Sequence, residues 1–267
     1  MPSDKTLDKL YSGDYEFRVD NTSLHRFRKM SRRIVAELMR LNHTGATLLD
    51  VGTGYGTFVE IAGSTGLAAI GIEPAKNLYD SASSKLKDKI LNLGLDGFIR
   101  INTKKYDFIT LIHVIEHVKH PKVFLEKVFA LLSPGGVLYI ETPNSASHQA
   151  VVEEERYTFL TPPDHLNLFS KRSLNKLIKN VAPNSKLSYF TYSYPEHLVG
   201  ILRVIKRNFS NYHGLPIRSD RGIPILTRVK RKANTPFFDR KVAPFLAPLL
   251  NIGGKGSFLQ VFIQKTI

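Results

Sequence analysis

The chain has 267 residues, 42% hydrophobic and 23% charged, which suits a globular protein with a sizeable core and excludes a disordered or fibrous architecture. It contains no cysteine, so disulfides, thiolate metal sites and cysteine nucleophiles are excluded. Thirty-eight Lys and Arg against 23 Asp and Glu leave a formal net charge of +15, which attracts nucleic acid, an anionic membrane surface or an acidic small molecule.

The charge is uneven: it gathers between Arg26 and Arg33 and again between Arg218 and Lys241, a solvated surface being the alternative reading of each cluster. No stretch approaches the ~18 consecutive apolar residues of a membrane span and no apolar leader follows Met1, so a cytoplasmic protein is expected. In chain order, Leu24, Phe27, Ile34, Val35, Leu38 and Leu41 recur at helical spacing and predict an amphipathic helix from Thr22 to Leu41. Residues 1–44 are read as a helical lead-in or lid, with Tyr11 and Tyr15 as lid candidates or simple packing anchors. Ala46 to Val51 is a buried strand, a glycine loop follows, and Thr57 to Ser64 is a helix. A second strand, Ala68 to Ile72, ends at Glu73-Pro74, and Pro74 opens a helix running through Tyr79 towards Lys89. Gly97 to Ile101 is a short strand and Tyr106 to Ile112 a stronger one, leading into His113-Val114-Ile115-Glu116-His117. A helix from Pro121 to Leu132, a turn at Ser133-Pro134-Gly135-Gly136 and a strand from Val137 to Glu141 come next. Asn144 to Ser170 is a long irregular excursion. Lys171 to Val181 is helical and Lys186 to Tyr192 a strand. A basic insertion over 194–235, helical from Glu196 to Asn208 and loop-like around Arg218-Ser219-Asp220-Arg221, precedes the last strand, Ser257 to Ile263. The alternation predicts an α/β fold: a Rossmann-like, mostly parallel seven-stranded sheet with helices on both faces, formed by 45–193 and 236–267.

The chemistry centres on Asp50-Val51-Gly52-Thr53-Gly54-Tyr55-Gly56. Glycines at 52, 54 and 56 let backbone approach a ligand at the carboxyl end of the first strand, and Glu73 ends the next strand where a carboxylate can accept both hydroxyls of a ribose. A dinucleotide-binding loop reads G-x-G-x-x-G, whereas this one reads G-x-G-x-G. Asp50, two residues before the first glycine, would repel a pyrophosphate but can order the loop or hold an ammonium group, so a cationic ligand fits better.

Leu48 to Gly56 resembles the first motif of class I S-adenosylmethionine-dependent methyltransferases, and Gly71-Ile72-Glu73-Pro74 resembles the second. Tyr106 to Pro121 resembles the segment around the EH pair in the ubiquinone-biosynthesis-like, methyltransferase-23-like branch. Leu131 to Gly136 resembles the "LLkPGG" motif, and Asp164 to Ser170 another block of that branch. The resemblance implies S-adenosylmethionine as cofactor, bound by Asp50, Gly52, Thr53, Gly54 and Tyr55, with Asp50, Gly52 and Gly54 on its methionine part, Glu73 on the ribose, and Pro74 or Ala75 at the adenine edge. It implies Asp96 as the adenine-side acid, and His113 beside the methionine or the transferred methyl. His117, His165 and His113 are the candidate catalytic bases. In this branch a glutamate and the EH pair help bind a divalent metal, which here would make the set His113, Glu116 and His117. Helix capping and hydrogen bonding account for Glu116-His117 without one, so no metal is assigned.

These expectations converge on methyl transfer to an oxygen or nitrogen of a small-molecule, sugar-like or lipid-linked acceptor, of anionic character if the basic insertion 194–235 caps its pocket. Two alternatives stay open. One is a nucleic-acid methyltransferase, which the charge suits but for which no base-amine motif or aromatic stacking pattern appears. The other is a module that binds S-adenosylmethionine without turnover.

Overall fold

Buried runs of Leu, Ile, Val and Phe form strands covered on both sides, the pattern a parallel sheet requires. In the computed structural model, which describes residues 21–162, 164–194, 197, 201, 204 and 249–266, seven strands make one sheet in the order β3-β2-β1-β4-β5-β7-β6. The strands are β1 Thr47–Val51, β2 Ala68–Ile72, β3 Ile90–Leu91, β4 Tyr106–Ile112, β5 Leu132–Pro143, β6 Lys186–Tyr192 and β7 Phe258–Gln264. From β3 to β5 neighbouring strands are parallel, whereas β7 runs antiparallel to both β5 and β6.

The helices are α1 Asn21–Leu41, α2 Thr57–Ser64, α3 Lys76–Ser81, α4 Leu95–Ile101, α5 Pro121–Leu131, α6 His148–Glu153 and α7 Lys171–Val181. Alternate strand residues feed two cores. Leu48, Phe108, Val137, Tyr139 and Phe262 meet Ile34, Val35 and Leu38 of α1 and Phe58, Val59 and Ile61 of α2 on one face. Leu49, Ile109, Leu111, Leu138, Ile140 and Val261 meet Leu95 and Phe98 of α4, Leu125 and Val128 of α5, and Leu174 and Ile178 of α7 on the other. The expected α/β sheet with helices on both faces is the observed one. Among the described residues no helix is long and apolar enough to cross a membrane.

Four local expectations are corrected. Gly97 to Ile101 is the body of helix α4, because Leu95 and Phe98, one helical turn apart, both reach the core. The third strand is instead the two-residue Ile90–Leu91. The helix expected to run from Pro74 towards Lys89 stops at Ser81, Ala82 turns extended, and a 3-10 turn covers Ser84–Lys89. Ser133 to Gly136 is a bulge within β5 rather than a turn before it, with a register shift opposite Tyr106 and Phe108. The excursion after Asn144 is ordered. Ser147 caps α6, Tyr157 Oη donates to the Asn144 carbonyl at 3.1 Å, and Asn144 Nδ2 donates to the Gly256 carbonyl at 2.8 Å. Tyr11, Tyr15 and nearly all of the 194–235 insertion lie outside the described residues; His197, Ile201 and Val204, within the stretch expected to be helical, are helical.

Candidate functional site

Strand order reverses direction at β1, which lies between β2 and β4, and a crevice at the carboxyl ends of such strands is where open α/β sheets take ligands. The glycine loop fills that position. Gly52, Gly54 and Gly56 have φ of 74°, 56° and 77°, a left-handed backbone that side chains disfavour. The amides of Gly52 and Thr53 both donate to the Ile72 carbonyl, at 2.8 and 3.1 Å, which ties the loop to the end of β2. A Cβ on Gly52 would stand 2.7 Å from Val114 Cγ2, so the loop also touches the segment that follows β4. Thr53 packs buried against Gly71, and Tyr55 is half-buried.

Two buried carboxylates define this half of the site. Asp50 accepts from Thr110 Oγ1 at 2.6 Å. Burial pushes its carboxyl up to about 6, Thr110 opposes the shift and the nearby charge of Glu73 adds to it. Glu73 accepts from the Gly54 amide through Oε2 at 2.8 Å and from the Ala75 amide through Oε1 at 2.9 Å. Burial raises its carboxyl too, against those two amides. Ionised carboxylate oxygens have capacity for further donors, so both groups can still meet a ligand. Pro74 is exposed beside them. Asp96 is not brought to this cluster: it stands in the first turn of α4, mostly exposed, with Lys127 Nζ 2.6 Å from its Oδ1. The residue at the end of β3 is Asn92, whose Nδ2 donates to the carbonyls of Glu73 at 2.8 Å and Pro74 at 3.2 Å. A strand of two residues leaves no periodic signal, which is why Asn92 escaped the sequence.

His113 follows β4 with a φ of 55°, a left-handed conformation rarely kept by a non-glycine residue without surrounding constraint. The constraint is visible. Its amide donates to the Glu141 carbonyl, Nδ1 lies 3.2 Å from Glu116 Oε1 and Nε2 lies 3.3 Å from Glu141 Oε1. Burial alone would lower its pKa, but the two carboxylates outweigh burial and bring it up to about 10. With both nitrogens turned to carboxylates and the ring kept protonated, His113 is poorly placed to take a proton, and neither nitrogen points elsewhere as a metal ligand. Glu141 is itself held by Tyr139 Oη at 2.6 Å, Gln260 Nε2 at 2.8 Å and Tyr192 Oη at 2.8 Å. An acid inside the otherwise apolar run of β5 was the sequence signal for it.

The excursion folds back over Glu116 and His117. Leu166 and Asn167 amides donate to the Glu116 carbonyl, and Thr142 Oγ1 donates to Glu116 Oε2 at 2.9 Å. His117 Nδ1 is 3.0 Å from both the carbonyl and Oδ1 of Asp164, and its pKa is raised because those contacts and the charge of Glu116 exceed the effect of burial. His165 Nδ1 is 2.7 Å from the Phe159 carbonyl, and the rings of His117 and His165 meet edge to face at 4.7 Å. The structure thus groups His117 with His165, not with His113, which reaches them only through Glu116. Phe258 links this group to a wall of rings: His113, Phe159, Tyr192, Tyr194 and His197 all lie within 5.7 Å of it, centroid to centroid.

A family model described as "Methyltransferase domain" matches residues 24–181. The ubiquinone biosynthesis O-methyltransferase of Coxiella burnetii is 33% identical over 104 residues, covering 38% of this chain and 44% of that protein. A mitochondrial protein of the same description from Mus musculus is 31% identical over 109 residues, covering 38% of this chain and 30% of that protein. The matched part is therefore less than half the length of either relative. Among solved structures, the plantazolicin methyltransferase BpumL in complex with SAH aligns with a TM-score of 0.57 at 17% identity, over 98% of this chain and 94% of that one. A SAM-dependent methyltransferase from Archaeoglobus fulgidus aligns with a TM-score of 0.55 at 16% identity, over 89% and 94%. Both share the fold.

Proposed function

Because the chain belongs to the methyltransferase-domain family, we propose that it transfers the methyl group of S-adenosylmethionine to an oxygen of a small acceptor with a planar or apolar body. The observation that carries this is Glu73, buried at the rim of a three-glycine loop and aimed by the amides of Gly54 and Ala75. A ribose offers two hydroxyl donors to such a carboxylate, and the methionine ammonium suits Asp50. When bound, S-adenosylmethionine supplies an electrophilic sulfonium methyl. The chain's own residues orient donor and acceptor, exclude water and receive a proton from the acceptor. On the acceptor side, the Phe258 ring wall supports an apolar body, and the oxygen to be methylated is assigned to the Glu116, His117 and His165 group, where its proton leaves. His113 serves as the clamp between Glu116 and Glu141. The O-methyltransferase descriptions of the relatives agree with this choice.

Incubation with methyl-labelled donor and a panel of phenols, other small alcohols, amines and RNA tests the assignment. Label on a small hydroxyl compound is the expected result. Label confined to RNA, or tight donor binding without transfer to any acceptor, would instead select the nucleic-acid or the non-catalytic reading.

Donor affinity should depend on pH through Asp50. Its folded value of about 6 stands above the ordinary aspartate value of 3.8, so the unliganded chain holds a proton there between those values that the unfolded chain does not. This carboxyl therefore costs stability as pH rises from 3.8 through 6, and a bound ammonium offsets that cost by favouring the ionised form. Calorimetric Kd values for S-adenosylhomocysteine should rise by up to about tenfold per pH unit as pH falls below about 6 and level off above it. Asp50→Asn should weaken binding and flatten the profile; an unchanged slope in that variant would assign the titration elsewhere.

A further inference from the structure

The wall of rings around Phe258 ends in a histidine that the methyl transfer described above does not use. His197 packs against Phe258, Tyr194 and Phe159, with ring centroids 5.5, 5.8 and 6.2 Å away. The Tyr194 amide donates to His197 Nδ1 over a long 3.4 Å; an amide only donates, so Nδ1 is the bare nitrogen and Nε2 carries the proton. Burial and the positive charge of Arg26 bring the pKa of this ring down to about 4, which keeps it neutral near pH 7. Among the described residues Nε2 has no partner. A phenylalanine would pack into the wall as well, so the N–H is what histidine adds, and it is costly to leave without an acceptor.

Arg26 brings a full charge to the same place. Its guanidinium stands over the Tyr194 ring, 5.4 Å from the centroid, and its charge is felt by His197. A guanidinium has five N–H donors, so a partner already held does not exhaust it, and its planar fork matches the oxygens of an anion. We infer that Arg26 and His197 form an oxyanion subsite of the acceptor pocket, which selects a planar hydroxylated acceptor that also carries a carboxylate or phosphate group. This rests on the proposed function for the identity of the pocket, yet anion binding can be read without any methyl transfer.

Phe159 relates the subsite to the reacting end. Its ring is stacked 6.4 Å from His165 and meets His197 edge to face at 6.2 Å. An acceptor laid along Phe159 and Phe258 therefore has the Glu116, His117 and His165 group at one side and His197 at the other. Glu141 would repel an anion if its charge were open, but His113, Tyr139, Tyr192 and Gln260 all hold it. An uncharged amide of the same shape sets its own N–H groups against two donors, and the pocket rejects it.

NMR titration of the chain with benzoate, phenyl phosphate and benzamide, with and without S-adenosylhomocysteine, tests this. Benzoate or phenyl phosphate should bind about tenfold or more tighter than benzamide, and the tighter of the two anions names the group that the subsite takes. Arg26→Gln and His197→Phe should each remove most of that preference, while Arg26→Lys, which keeps the charge, should retain part of it. Circular dichroism reports whether each variant is folded. Equal affinities for the three probes, or binding of none, overturns the subsite, as does an anion preference that survives in both Arg26→Gln and His197→Phe. An anion preference lost in those folded variants, in a chain that binds no S-adenosylhomocysteine, would uphold the subsite and sink the donor reading.

Discussion

Glu73→Ala should abolish measurable binding of S-adenosylmethionine and S-adenosylhomocysteine while leaving the chain folded. Two hydrogen bonds from a ribose to an ionised carboxylate are together worth about 3–6 kcal/mol, which is more than a hundredfold in Kd. The same oxygens hold the amides of Gly54 and Ala75, so the substitution also loosens the loop that must wrap the ligand. Glu73→Gln keeps one acceptor oxygen and should fall between wild type and alanine. Calorimetry on all three chains reads the effect, and equal affinities would remove Glu73 from the donor site.

Glu141→Ala should lower the free energy of unfolding by about 3–5 kcal/mol, a large share of the ~5–15 kcal/mol of a typical domain. Glu141 is 3% exposed and receives Tyr139, Tyr192, Gln260 and His113 at once. Alanine leaves buried hydroxyls without their acceptor and His113 without one of its two carboxylates, and the uncompensated groups set the cost. Urea unfolding monitored by circular dichroism measures it. A loss below about 1 kcal/mol would mean that water takes the place of the carboxylate. Methyl transfer should fall along with stability, since the left-handed backbone of His113 depends on the same grip.

The sheet was legible because its strands carry local signals. Leu48 to Val51 and Tyr106 to Ile112 are apolar runs bounded by turn residues, and α1 has an apolar stripe that repeats every three or four residues. The donor loop was legible because its glycines, Asp50 and Glu73 stand within 24 residues of one another, inside one βαβ unit. What failed was short or distant. Phe98 and Leu95 serve a core either as a strand or as a helix, and only the packing against β4 and α5 decides between them. Asp96 opens that helix instead of preceding a strand, which leaves it beside Lys127 and away from the glycine loop. His113 looked like the partner of Glu116 and His117 because three residues make one helical turn. The backbone there is left-handed at His113 and 3-10 from Ile115 to His117, so its ring bridges Glu116 and Glu141 rather than joining His117. His165 joins His117 through backbone bonds spanning the excursion, which no spacing rule encodes.

Titration of the wild-type chain with S-adenosylhomocysteine, and separately with NAD, tests the account at its centre. The loop geometry, Asp50 and Glu73 predict one S-adenosylhomocysteine site per chain and no NAD binding. Saturable binding of NAD with none of S-adenosylhomocysteine would contradict it.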